Sequence, residues 1–184
     1  MKTIIKRNIL KALQKHSKKK EITLIIGPRQ VGKTTIMKSL DLWLTQQGQK
    51  TIWFNLDFQS DLRYFQSQQQ LINKLNLEFG NSTAFVFIDE IQRKEEAGMF
   101  LKGIYDQNLP YKFIISGSGS VELKEKVHES LMGRKLLFEM NTVSFLEFFH
   151  FRTDYKYKTQ IEQFFQIEKE LTQNLLQEYL EFGG

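Results

Sequence analysis

The eight residues Gly27-Pro28-Arg29-Gln30-Val31-Gly32-Lys33-Thr34 constrain this chain more than any other stretch of it. They fit G-x-x-x-x-G-K-[ST], a glycine-rich loop that wraps main-chain N–H groups around phosphate. The context agrees with the motif. Glu21 to Ile26 reads as a short, mostly apolar strand, and Lys33 to Gln46 places Ile36, Met37, Leu40, Trp43 and Leu44 on one helical face. Gly27 lets the chain leave the strand sharply, and Gly32 keeps side-chain bulk away from the approach to the anion. The amides of Val31, Gly32, Lys33, Thr34 and Thr35 then face the anion from a helix N-terminus, where the backbone dipole also favours negative charge. In this reading Lys33 bridges β- and γ-phosphate oxygens and the Thr34 hydroxyl ligates Mg²⁺. Pro28, Arg29 and Gln30 complete the nucleotide-binding stretch. The bland alternative is an incidental glycine turn carrying a surface lysine.

A second feature lies about 55 residues downstream by the same motif logic. Ala84-Phe85-Val86-Phe87-Ile88 is an apolar run buried on both faces as a strand, and it ends in Asp89-Glu90. An acid at the carboxyl end of a sheet strand points into the crevice where ligands of open α/β folds bind. Asp89 is expected in the Mg²⁺ shell, and Glu90 is expected to orient or deprotonate a water for attack on the γ-phosphate. Without the glycine loop the pair would read as a solvated turn. The fourth strand, Lys112 to Ile115, runs into Ser116-Gly117-Ser118-Gly119-Ser120, where Ser116 is the first choice to touch the γ-phosphate or the attacking water. A polar turn is the other reading of that segment. Arg134, just before a fifth strand near Lys135–Met140, is either an arginine supplied to a neighbouring subunit's nucleotide or an exposed side chain at a strand start.

Between these landmarks the patterning places a second strand at Thr51 to Leu56 and helices near Leu62–Leu75 and Val121–His128. A helix with Ala97, Phe100, Leu101, Ile104 and Tyr105 in phase follows the acid pair. Ser144 and Glu147 have capping-box spacing and open an aromatic helix, Phe145 to Phe151, and one last amphipathic helix runs from Ile161 to Leu180. Strands alternating with helices predict an α/β fold with a mainly parallel, five-stranded sheet. The division expected is a basic helical arm at 1–20, a nucleotide-binding core at 21–151, and a C-terminal helix at 152–184 that begins a lid or following domain the chain does not complete.

Composition narrows the chemistry. The chain has 184 residues and no cysteine, which excludes disulfides, thiolate metal ligands and cysteine nucleophiles. Its 3 histidines, His16, His128 and His150, are scattered, which disfavours a histidine metal site. No apolar run approaches the ~18 residues of a membrane span, no leader pattern follows the first lysines, and a cytoplasmic protein with no membrane partner is expected. The net charge of +5 is unevenly spread. Residues 1–20 carry eight basic side chains (Lys2, Lys6, Arg7, Lys11, Lys15, Lys18, Lys19 and Lys20) and no acid, while the other 164 residues hold 18 basic and 21 acidic groups. The arm reads as a packed helix, with Ile5, Ile9, Ala12 and Leu13 at helical spacing and a solvated lysine face. The alternative is a contact for DNA or a protein partner, although no interleaved aromatics of the base-stacking kind accompany it. Arg7 and the residues just before the first strand are the candidates for reading the base.

With these residues set out, the chain resembles a predicted AAA-type ATPase family of bacteria and archaea, within the additional-strand P-loop ATPases. The resemblance covers nearly the whole chain. It rests on Gly27 through Thr35, Phe87-Ile88-Asp89-Glu90-Ile91-Gln92, Ile115-Ser116-Gly117-Ser118, Ser130-Leu131-Met132-Gly133-Arg134 and Ser144-Phe145-Leu146-Glu147-Phe148. It implies a three-layer P-loop NTPase in which the Ser116 strand lies between the glycine-loop strand and the Asp89 strand. It also implies ATP and Mg²⁺ as cofactors, a nucleotide sensor at Ser116, and a homo-oligomer in which Arg134 acts in trans. Family members continue into a further C-terminal region, whereas this sequence stops at Gly184.

Two rivals are weighed against ATP hydrolysis. A P-loop small-molecule kinase would not need Glu90 beside Asp89 and would want an arginine-rich lid, for which only Lys124, Lys126 and Arg134 are candidates. A nucleotide-gated DNA- or protein-binding module with little turnover would use the basic arm or the aromatic helix. A GTPase is disfavoured because Asn73-Lys74 is followed by Leu75-Asn76, with no base-reading aspartate.

Overall fold

Side chains alternate across a strand, so each strand of this protein feeds two different layers. The computed structural model describes residues 4–118 and 129–182. It contains β1 (Ile22–Gly27), β2 (Thr51–Asn55), β3 (Ala84–Asp89), β4 (Tyr111–Ser118) and β5 (Lys135–Glu139), paired in the order β2-β3-β4-β1-β5. Every pairing is parallel. Ile25, Phe87 and Ile114 point to one face, where they pack with Leu13 of α1 (Ile9–His16) and Ile36, Met37, Leu40 and Leu44 of α2 (Lys33–Thr45). Leu24, Ile26, Val86, Ile88, Phe113 and Ile115 point to the other. There they meet Leu71 and Leu75 of α4 (Gln68–Phe79) and Phe100, Leu101 and Ile104 of α5 (Ala97–Asp106). The result is an α/β three-layer sandwich, with the Ser116 strand inserted between the glycine-loop strand and the Asp89 strand as the resemblance implies.

The chain divides into two compact units, Ile9–Met140 and Asn141–Gly184 with Met1–Asn8. The first holds the sheet. In the second, a short cluster of Phe149, Phe164 and Leu175 joins α6 (Phe145–Arg152), α7 (Ile161–Ile167) and α8 (Lys169–Phe182). The expected capping box is present: Ser144 accepts from the Glu147 amide while the Glu147 carboxylate accepts from the Ser144 amide.

Several element boundaries differ from the expectations. The single helix expected over 161–180 is broken at Glu168, whose ψ of 55° is not helical. The break lets Phe164 and Leu175 enter one apolar cluster. The helix expected near 62–75 is instead α3 (Gln59–Leu62), a 3₁₀ turn (Arg63–Phe65) and α4. Ser67, within the polar Ser67–Gln70 tract, is the α4 N-cap and accepts from the Gln70 amide. The arm helix starts at Ile9, leaving Ile5 outside it. β4 continues through Ser116 and Gly117 to Ser118 because β1 offers a ladder out to Gly27. The helix expected near Val121–His128, with Gly119, Ser120, Lys124 and Lys126, lies outside the described residues.

Candidate nucleotide site

Parallel register brings four strand ends to one edge of the sheet. Gly27 lies opposite Ser118, Ile88 opposite Ile115, and Asn55 opposite Asp89. β1 ends at Gly27, and its glycine is required for a reason other than the sharp exit expected. A Cβ there would sit 2.1 Å from the Met140 carbonyl oxygen, because Met140 donates its amide to the Ile26 carbonyl at 2.7 Å. Gly32, the residue before α2, has φ of 91°, a left-handed conformation that favours glycine. Gln30 is also left-handed, with φ of 66°. Left-handed residues within a loop turn successive N–H groups toward a common point, the geometry of an anion-binding concavity.

Around this loop the side chains divide by task. Val31 is buried and anchors the loop in the apolar layer beside α2. Pro28, Arg29, Gln30 and Thr35 are exposed. Lys33 is only 6% exposed, and its ammonium donates to the Gly27 carbonyl at 2.9 Å and the Pro28 carbonyl at 2.7 Å. An ammonium has three donors, so one more bond is available to it.

Asp89, 2% exposed, is the hub. Its Oδ2 accepts the Thr34 hydroxyl at 2.7 Å. Its Oδ1 accepts the hydroxyl of fully buried Ser116 and the Glu90 amide, the latter at 3.2 Å. Glu90 has φ of 60° and ψ of 45°. That left-handed backbone costs a non-glycine residue about 1–2 kcal/mol. Its carboxylate accepts from the Gln92 side-chain amide. A hydroxyl and an ionisable carboxylate side by side form a hard oxygen donor set, which suits Mg²⁺ held by one or two protein ligands plus phosphate and water. The described residues contain no cluster of three or more His, Asp or Glu that would make a separate metal cage.

A cavity of about 540 Å³ opens over the loop, lined by Arg29, Gln30, Gly32, Lys33, Thr34, Thr35, Asp57, Glu90 and Arg93. Asp57 and Arg93 were not anticipated from the sequence, and Gln92 was read only as part of the Phe87–Gln92 stretch that carries the family resemblance, with no role of its own. Arg93 and Asp57 form an ion pair at 2.6 Å beside Glu90. The signal for Asp57 was the one used for Asp89, an acid just past a strand end. Nothing local distinguishes Arg93.

Arg134 lies away from the glycine loop of its own chain. Arg134 sits at the opposite edge of the sheet, where its carbonyl accepts the Ile22 amide at the start of β1. Its guanidinium holds Asp106 through two bonds, 2.8 and 3.3 Å. That contact lowers the Asp106 carboxyl below its ordinary range. Arg7, a candidate for reading the base, donates to Glu147 at 3.1 Å and to the carbonyls of Asn141 and Thr142, all within its own unit. Burial pushes the Glu147 carboxyl up. The Asn8 and Ser144 amides and the Arg7 charge outweigh this and bring it below the usual carboxylate range.

A family model described as an AAA domain matches residues 19–149. Uncharacterized protein MJ1544 of Methanocaldococcus jannaschii is 29% identical over 178 residues, covering 89% of this chain and 35% of that protein. The chain thus spans about a third of the length of this curated relative. Among solved structures, RIF2 of Saccharomyces cerevisiae is similar in fold with a TM-score of 0.52 at 13% identity, over 93% of this chain and 69% of that one. A DNA replication initiation factor and AMPPCP-bound DnaA from Aquifex aeolicus each reach a TM-score of 0.49 at 18% identity. These two cover 92% and 82% of this chain, which spans 54% and 49% of theirs. Among the described residues no helix is long and apolar enough to cross a membrane.

Proposed function

The chain belongs to the AAA domain family, and from that premise we propose that its Ile9–Met140 unit binds ATP with Mg²⁺ and hydrolyses it. The observation that carries this reading is the hydrogen-bonded chain Thr34–Asp89–Ser116, with Glu90 beside it, at the mouth of the glycine loop. Three elements far apart in sequence, α2, β3 and β4, converge there on buried or half-buried polar groups, an arrangement that costs stability unless function retains it.

The roles follow from the geometry. The loop amides and the α2 N-terminus cradle the phosphates. Lys33 directs its remaining N–H to them. Thr34 and Asp89 would hold Mg²⁺, which when bound offsets charge on the outer phosphates. Glu90 accepts a proton from water as the water oxygen bonds to the γ-phosphorus and the bridging P–O bond to ADP breaks. Ser116, tied to both Asp89 and the Glu90 amide, reports γ-phosphate to the acid pair.

Calorimetric titration with ATP and GTP, with and without Mg²⁺, tests the proposal. Wild type is expected to bind ATP more tightly with Mg²⁺, and Lys33→Ala to lose that binding. Unchanged affinity in Lys33→Ala would refute the phosphate assignment. A second reading, a polyanion-contacting module, is favoured by the exposed lysines Lys11, Lys15, Lys18, Lys19 and Lys20 on and just after α1. Adding duplex DNA to the same titration separates the two.

A further inference from the structure

The turn after Glu90 carries a side chain that reaches two elements at once. Gln92, half-buried in the 3₁₀ turn Ile91–Arg93, donates its amide to Glu90 Oε2 and accepts the Ser118 backbone N–H at 3.0 Å through Oε1. Ser118 is the last residue of β4, two positions beyond Ser116. One strand end is therefore tied to both acids, to Asp89 through the Ser116 hydroxyl and to Glu90 through the Gln92 amide.

Glu90 needs such a tether. Its left-handed backbone places it outside any helix or strand that would otherwise orient its side chain. A carboxylate that takes a proton from water must present one oxygen to that water while the other is held still. Gln92 holds Oε2, leaving Oε1 on the carboxylate that lines the cavity. We propose that Gln92 is a positioning residue that aims Glu90 and takes its own orientation from the end of β4, so that displacement at Ser118 is transmitted to the base. The proposal rests on the hydrolysis reading of Glu90.

Two substitutions separate positioning from mere support. Gln92→Ala removes both bonds. Gln92→Glu keeps an acceptor for the Ser118 N–H but sets a second carboxylate against Glu90. Gln92→Ala is expected to lower turnover about tenfold or more while ATP affinity stays within about twofold. Amide exchange at Ser118, followed by NMR, should accelerate in Gln92→Ala and stay slow in Gln92→Glu, although turnover falls in both. Wild-type turnover in Gln92→Ala, unchanged Ser118 exchange, or a matching loss of ATP affinity would each overturn the positioning role. A wild-type chain that binds ATP without turning it over would instead overturn the hydrolysis reading, and the positioning role with it.

Discussion

The Thr34 hydroxyl donates to Asp89 Oδ2 at 2.7 Å across 55 residues of sequence, joining the first turn of α2 to the end of β3. Removing the Asp89 charge while keeping its shape should therefore cost cation affinity more than fold. In Asp89→Asn, calorimetry is expected to find ATP affinity in Mg²⁺ reduced to the value measured without it. Thr34→Ala leaves Oδ2 of a buried carboxylate without that donor, at a cost of roughly 1–3 kcal/mol in urea unfolding.

Glu90→Gln retains a side chain able to accept from Gln92 but removes the proton acceptor. ATP should remain bound while phosphate release falls by about 10²–10⁴-fold. Wild-type turnover in this variant would remove Glu90 from the reaction.

The two loop glycines should fail differently when changed to alanine. Gly27→Ala drives a Cβ to 2.1 Å from a backbone oxygen, so the β1 end and Met140 must separate. Gly32→Ala meets nothing closer than 3.6 Å but must hold φ of 91°. Strain of about 1–2 kcal/mol is expected for Gly32→Ala, with Gly27→Ala melting at a distinctly lower temperature than Gly32→Ala.

At the other edge of the sheet, His16 and Lys112 set a pH dependence. His16 accepts or donates with Thr23 Oγ1 at 2.7 Å, and Lys112 donates to the Glu21 carbonyl. Burial, with the nearby Lys112 charge, lowers His16 from 6.5 to about 4, against the weaker pull of Glu21. Burial lowers Lys112 from 10.5 to about 7, partly opposed by Glu21. In both cases the unfolded chain binds more protons than the native state between the two values. Stability should thus rise with pH from about 4 to 6.5 through His16 and from about 7 to 10.5 through Lys112. The slope in each window is at most about 1.4 kcal/mol per pH unit. Urea unfolding of Lys112→Met should show the upper slope gone, its stability relative to wild type falling as pH rises through that window.

Arg134 lies about 16 Å from its own chain's glycine loop, five residues of strand at ~3.3 Å each, so any contact with nucleotide must be to another copy. If it acts in trans, turnover per chain should rise with protein concentration in wild type and stay flat in Arg134→Ala. A monomeric wild type that turns over at a constant rate would exclude that role. Because Asp106 is exposed and its partner Arg134 is half-buried at the surface, Asp106→Ala should leave the melting temperature nearly unchanged.

Residues whose role depends on neighbours in sequence were readable before any fold was known. The run Gly27 to Thr35, the acid pair after Ala84–Ile88, and the Ser144–Glu147 capping box each announce themselves over a few positions, because a turn, a strand end or a cap is a local object. Even there the reason for Gly27 was misread, since the obstruction comes from Met140, more than a hundred residues away. Arg93 carries no comparable mark, Gln92 stands in the Phe87–Gln92 stretch without a role read for it, and Asp57 shares with Asp89 only its place past a strand end.

What the sequence determined by itself is therefore the set of parts: an anion loop, two acids, alternating strands and helices. The place of β4 between β1 and β3 was implied by the family resemblance; only the tertiary structure decided that Ser116 meets Asp89, that Gln92 reaches Ser118, and that Arg134 stands at the far edge. Strand order and register arise from backbone hydrogen bonds summed over residues far apart in the chain. Those bonds are the same for almost every side chain, so no local pattern encodes which strands become neighbours.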